Sequence, residues 1–289
     1  MKVALLTTPQ ARYADYWRAF LSELDLEPAR PRAPYDTWLE AGRGSLPGEP
    51  LLVQLALGEI LSLGTQVDAV LVPAGLPVHD DAWSGAFAEL LPQRIAGLPP
   101  LVAVPDEPQA LAAAAADLGQ RLVGNAALVR RALEQVQPLG QPERREEWPA
   151  LQRASQVSVG VIGPRSLLAH PELSAGLWQA LSRYSLFPVP AHTLPTSQVS
   201  DRGERLSDPR AQAGDRWLYG AARLLEGKGA VQGLVLVAPM QDAGLQAALE
   251  RVAAELHKPT LLLTLDAGQT EWPELAGFAA RLGAGTGAE

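Results

Sequence analysis

The residues able to do chemistry stand in short clusters that follow apolar runs. His79-Asp80-Asp81 is the densest ionisable group in such a place. A histidine beside two carboxylates has the make-up of a general base or a weak metal ligand, so His79 and Asp80 are the catalytic candidates. The same residues suit a loop in which Asp80 or Asp81 caps a helix starting at Ala82. Gly163-Pro164-Arg165-Ser166 follows another apolar run. A helix N-terminus there would offer N–H groups, and Arg165 a two-pronged donor, to an anion; a surface turn is the plainer reading. Thr7-Thr8-Pro9 holds the corresponding place near the N-terminus, with hydroxyls but no charge. With Gly75 and the pair Gln241-Asp242, these loops give the ligand-binding candidates Thr7, Thr8, Gly75, Gly163, Arg165, Ser166, Gln241 and Asp242. Arg165 is the one cation in them, conspicuous in a chain of net charge -8.

Much chemistry is excluded outright. The chain has no cysteine, which removes disulfides, thiol catalysis, zinc–cysteine sites and cysteine-ligated clusters. Four histidines, none paired with a ligand at helical spacing, lead us to expect no metal. No cofactor is expected either. The dinucleotide fingerprint is missing, because no glycine follows Leu6 until Gly42, and Gly160-Val161-Ile162-Gly163 lies in and at the end of a strand. Phosphate-loop and hydrolase-elbow signatures are absent. Lys+Arg is 24 against Asp+Glu 32, so phosphate backbones and anionic lipid are repelled, and neither nucleic acid nor membrane is an expected partner. The apolar run Val3–Leu6 is shorter than a signal-peptide core of about 7–15 residues, and no stretch reaches the ~18 apolar residues of a membrane span. A cytoplasmic protein is the expectation. Charged residues make up only 19% of the chain, which is compatible with surface covered in a homo-oligomer.

Positioning these clusters falls to alternating short β-branched runs and longer amphipathic stretches, the pattern of parallel sheets covered by helices. Strands are expected at Lys2–Leu6, Asp68–Val72, Leu101–Val104, Val157–Ile162, Phe187–Pro190, Val231–Val237 and Thr260–Leu265. Helices are expected at Tyr13–Leu24, Pro50–Leu63, Ala82–Leu91, Pro108–Val136 (broken near Gly119 or Gly124), Leu173–Leu181, Arg216–Leu225, Ala243–Leu256 and Glu274–Leu282. Thr196–Gly214 is polar and aperiodic, and reads as a long mobile loop. The halves match at an offset of about 160 residues, with Lys2–Leu6 answering Ser158–Ile162 and Asp68–Pro73 answering Gly233–Pro239. The expected organisation is therefore two similar α/β domains, residues 1–137 and 157–282, each a four- or five-stranded parallel sheet, facing one another across a cleft. A linker at 138–156 carries the charge run Glu143-Arg144-Arg145-Glu146-Glu147, and 283–289 is a frayed tail. Ligands of such sheets bind beyond the carboxyl ends of the strands.

This layout resembles a known family. An early strand, a tyrosine-containing helix, a Gly42…Pro47 loop, the Leu57-Gly58 helix and Gly64…Asp68-Ala69-Val70-Leu71-Val72-Pro73 occur in order. Val159-Gly160-Val161-Ile162-Gly163-Pro164, Trp217-Leu218-Tyr219-Gly220, Val231-Gln232-Gly233, Val237-Ala238-Pro239 and Lys258–Asp266 follow. The order resembles the D-component-like proteins of the 2-hydroxyacyl-CoA dehydratase system. The resemblance implies two Rossmann-like domains holding an iron–sulfur cluster through cysteines near Pro50, after Pro73, and near Met240 or Gln241. None of these is cysteine here. The resulting expectation is a non-redox and even non-catalytic relative that binds a small anionic ligand or a protein partner in its cleft. The alternatives are an enzyme on an acyl-CoA or phosphorylated substrate, with Arg165 on the anion and His79 or Asp80 moving a proton, and a solute-binding or scaffold protein.

Overall fold

The computed structural model describes residues 1–31, 33–141 and 148–283. By their contacts they form two units, residues 1–75 with 83–144 and residues 76–82 with 145–289. The short segment 76–82 thus leaves the first unit's run of chain and belongs to the second. The charge run Glu143–Glu147 and the tail beyond Gly283 lie outside the described residues.

The first unit contains β1 (Val3–Leu5), α1 (Ala14–Glu23), α2 (Tyr35–Ser45), α3 (Leu51–Leu63), β2 (Ala69–Pro73), α4 (Ala82–Arg94), β3 (Leu101–Val104), α5 (Pro108–Val123) and α6 (Ala126–Val136). The strands are parallel in the order β1-β2-β3. Alternation along them feeds two cores, since successive strand side chains point to opposite faces. Val3, Leu5, Leu71 and Val104 pack with Trp17 and Phe20 of α1 and Leu111 and Leu118 of α5. Ala4, Leu6, Val70 and Val72 pack with Leu57 and Ile60 of α3 and Leu91 of α4. The long alanine-rich helix breaks at Gly124, which takes φ +62°, and the Asn125 side chain then caps α6 by accepting from Ala127 N and Leu128 N.

The second unit contains β4 (Val157–Ile162), α7 (Arg165–Leu168), α8 (Pro171–Arg183), β5 (Leu186–Pro190), α9 (Thr196–Gly203), α10 (Ala213–Glu226), β6 (Val231–Pro239), α11 (Ala243–Ala254), β7 (Thr260–Leu265) and α12 (Glu274–Arg281). Its four strands are parallel in the order β5-β4-β6-β7. Pro188 and Pro190 are tolerated because β5 is an edge strand. The architecture is α/β, with two parallel, helix-flanked sheets of three and four strands.

Three expectations need correction. The first sheet has three strands among the described residues, not four or five. The place β5 takes in the second sheet is reduced in the first to a single parallel bridge between Ala4 and Ala29, with Ala29 N donating to Val3 O at 2.8 Å. Pro28 and Pro31 flank that bridge, and neither has an N–H to extend it. The supposed loop at Thr196–Gly214 begins with α9, and Gly42 lies inside α2 rather than in a loop.

Both missed helices pack through glycine, and they do so identically. A side chain at Gly42 would fall 1.8 Å from Gln54 O, and one at Gly58 would fall 1.8 Å from Trp38 O. In the second unit the distances are 2.5 Å from Gly203 to Arg216 O and 2.1 Å from Gly220 to Val199 O. Each glycine therefore meets the residue four before its partner glycine. The α2–α3 and α9–α10 pairs are the same backbone-to-backbone crossing at an offset of 161–162 residues. The internal repeat is thus carried by packing geometry as well as by strand order.

Candidate functional site

The carboxyl ends of the strands hold every cluster singled out above, and the two units treat theirs differently. After β1, Thr7 N and Thr7 Oγ1 donate to Glu59 Oε1, both at 2.7 Å. Thr8 N and Thr8 Oγ1 donate to Glu59 Oε2 at 2.8 and 2.7 Å. Glu59 is 1% exposed, and four donors converge on its two oxygens. The backbone N–H groups of Arg12 and Tyr13, entering α1, donate to Asp106 at 2.9 and 2.8 Å. Thr7 and Thr8 are among the expected ligand-binding residues, and in the structure their N–H and hydroxyl donors go to the chain's own Glu59 side chain.

Neither acid was foreseen. Glu59 is the sole charged residue in the mostly apolar Leu51–Leu63, and that isolation is a readable signal, because a buried carboxylate needs donors. Asp106 stands directly after β3 and Pro105, and its position gives no comparable hint.

In the second unit the Gly58–Gly220 correspondence puts Ala221 where Glu59 stands, and Ala221 is fully buried. The β4 loop thus has no counterpart of the Glu59 carboxylate. Gly163 is required here, since a Cβ would lie 2.5 Å from Val237 O of β6. Arg165 and Ser166 open α7 and are half-buried. Arg165 Nη1 donates to His192 O at 3.3 Å, which turns its guanidinium toward the β5 side of β4. Beyond β6, Gln241 is exposed with φ +64°, and Asp242 caps α11, its Oδ1 accepting from Leu245 N at 2.9 Å. Burial first, and the neighbouring Asp81 charge after it, push Asp242 up to about 6, against the Leu245 N–H that favours the ionised form.

Segment 76–82 joins this edge. Gly214 N donates to Pro77 O at 2.7 Å, and His79 N donates to Asp215 Oδ2 at 2.8 Å. Asp215 also accepts from Gln212 N, closing the capping box of α10, and from Arg251 Nη2 at 3.0 Å. Gly244 lets the segment approach α11, because a Cβ there would meet Asp80 O and Asp81 Cβ at 2.9 and 2.8 Å. His79 Nε2 lies 3.5 Å from Asp80 Oδ2. The structure therefore brings Asp81 close enough to act on Asp242, while His79 sits against Asp215 and Asp80. Thr7, Thr8 and Gly75 belong to the first unit, where a Cβ on Gly75 would lie 2.9 Å from Ser84 O.

An iron–sulfur cluster does not fit these residues. Pro50 precedes α3, Ala74 and Gly75 follow β2, and Met240 and Gln241 follow β6, so no position supplies a thiolate. Among the described residues no group of three or more histidine, aspartate or glutamate side chains could hold a metal ion, and no helix is long and apolar enough to cross a membrane.

The fold and these strand ends define a class, an α/β protein with two Rossmann-like parallel sheets, and the comparisons take the description no further. No family model matches the chain, and no curated protein does. Among solved structures it is similar to the dinucleotide-forming acetyl-coenzyme A synthetase 1 of Ca. Korarchaeum cryptofilum, in complex with phosphate and ADP. The identity is 13%, over 76% of this chain and 48% of that one, at a TM-score of 0.19. The chain spans about half the length of that structure, and a likeness this slight carries no argument.

Proposed function

We propose that the chain is a non-redox relative of the D-component of the 2-hydroxyacyl-CoA dehydratase system, and that it binds a small anionic molecule at the carboxyl ends of β4 and β6. The observation that carries the reading is the contrast between Glu59 and Ala221. In the first unit a buried glutamate satisfies the donors that follow the first strand. In the second the equivalent residue is alanine, and a cation, Arg165, stands in the loop. The order β5-β4-β6-β7 reverses direction between β4 and β6, and ligands of open α/β sheets gather at such a switch point. The absence of every cluster cysteine supports the non-redox part, and the order of glycine and hydrophobic motifs supports the kinship.

Calorimetric titration with a panel of phosphates, carboxylates and CoA thioesters tests the reading. At least one member should bind, and Arg165→Ala should weaken it by roughly 1.5–3 kcal/mol, the worth of a hydrogen bond to a charged group. Binding indifferent to Arg165→Ala overturns the site. Stoichiometric iron in anaerobically purified protein overturns the non-redox reading.

An enzyme on such a ligand is the second reading, favoured by the 3.5 Å approach of His79 Nε2 to Asp80 Oδ2. His79→Ala would then abolish turnover and leave binding nearly unchanged.

A further inference from the structure

We infer a second anion site on the second unit, at the opposite, amino end of β6, suited to a small phosphorylated polyanion such as a diphosphate. A groove of about 300 Å³ runs between α9, the end of α10 and the turn into β6, lined by Asp201, Arg202, Arg205, Leu224, Gly227 and Lys228. Three cations face one carboxylate there, in a chain whose net charge is -8.

Lys228 is held in place. Its Nζ lies 3.8 Å from the centroid of the Trp148 ring, and Trp148 packs against the unit's core. An ammonium over an indole face is attracted by the ring and loses little further freedom when a ligand arrives. The backbone beneath it is fixed too, with Lys228 N donating to Leu225 O and Lys228 O accepting from Lys258 Nζ at 2.7 Å. Among the described residues neither the Arg202 nor the Arg205 guanidinium has a hydrogen-bonded or ion-paired partner, and both are exposed.

A plainer reading makes these cations the answer to the helix dipoles ending nearby. At the end of α10 that role is already filled by Arg223, which pairs with Glu226. Three further cations converging on one concavity exceed what two helix ends call for. The lining has one large apolar side chain, Leu224, and no aromatic ring, so recognition rests on charge and favours the phosphate part of a ligand. The volume is at the small end of ligand pockets, which suits a diphosphate.

Calorimetry with pyrophosphate at low salt tests this, and it does so independently of the β4–β6 site. Pyrophosphate should bind saturably, more tightly than inorganic phosphate, and more weakly as salt rises. The Arg202→Gln/Arg205→Gln double variant should bind at least tenfold more weakly with an unchanged melting temperature, and Lys228→Gln should weaken binding as well. The titrations are run in the Arg165→Ala background, so that the proposed β4–β6 site does not contribute. Any pyrophosphate-induced change in tryptophan emission should be lost in Trp148→Phe. No saturable binding, or equal binding by the double variant, overturns the inference. Tighter binding of an acidic peptide or an oligonucleotide than of pyrophosphate also overturns it.

Discussion

Glu59 shows how much a single residue decides here. Four hydrogen bonds reach its carboxylate from Thr7 and Thr8, so removing it leaves several donors without a partner inside the first unit. Glu59→Ala should destabilise the protein by on the order of 3 kcal/mol in urea unfolding, the cost of leaving buried polar groups unmet. Added acetate should restore part of that loss and leave the parent chain unmoved, because a small carboxylate can re-enter the cradle. Failure of acetate to rescue would show that Glu59 acts by filling space rather than by meeting donors. The threonines themselves were legible in the sequence as strand-end hydroxyls. Their occupant was not, because it is distant in sequence and is brought to them only when α3 packs on the sheet.

At the scale of elements, the repeat is expressed as two helix pairs crossing at glycine. Gly58→Ala and Gly220→Ala should each cost about 3 kcal/mol or more, since the new methyl would press on Trp38 O and Val199 O and the helices must part. Gly44→Ala and Gly277→Ala are the controls. Both positions are helical, with open space where the methyl would go, and they should be stabilising by up to about 1 kcal/mol. Equal effects at all four positions would contradict the account. The same crossings explain which helices the sequence concealed. Hydrophobic periodicity reveals helices that bury large side chains, and α1 and α8 are legible that way. Helix α9 buries just Val199 and Gly203, and α2 just Leu39 and Gly42, so neither carries an apolar stripe. Leu101–Val104, Val157–Ile162 and Thr260–Leu265 were legible to the residue, as short runs dominated by Val, Ile and Leu between turn signals.

The whole molecule's response to pH follows from two buried groups of opposite sign. Burial holds His170 down to about 4 from its ordinary 6.5, so its contribution to stability is present above 6.5 and lost as pH falls through 4. Asp242 is raised to about 6 from 3.8, so its contribution is present below 3.8 and lost as pH rises through 6. Between about pH 4 and 6 the two oppose, each worth roughly 3 kcal/mol at full extent. Relative to the parent, Asp242→Asn, which keeps the α11 cap, should gain stability as pH rises through this window, and His170→Asn should lose it. Parallel curves for all three proteins would refute the assignment. Sequence alone placed Asp242 at a strand end, but its shift comes from burial first and from Asp81 of segment 76–82 after it, and neither exists until distant stretches of chain meet. The functional account stands on one contrast, a first unit that satisfies its strand-end donors internally and a second that keeps a cation there. Hydrogen exchange of the whole protein, with and without the panel of phosphates, carboxylates and CoA thioesters, tests it most directly. The account predicts ligand-dependent protection at Gly163–Ser166 and Met240–Asp242, with Thr7 and Thr8 unchanged. Protection at Thr7 and Thr8, or none at the β4 and β6 ends with any member of the panel, would contradict it.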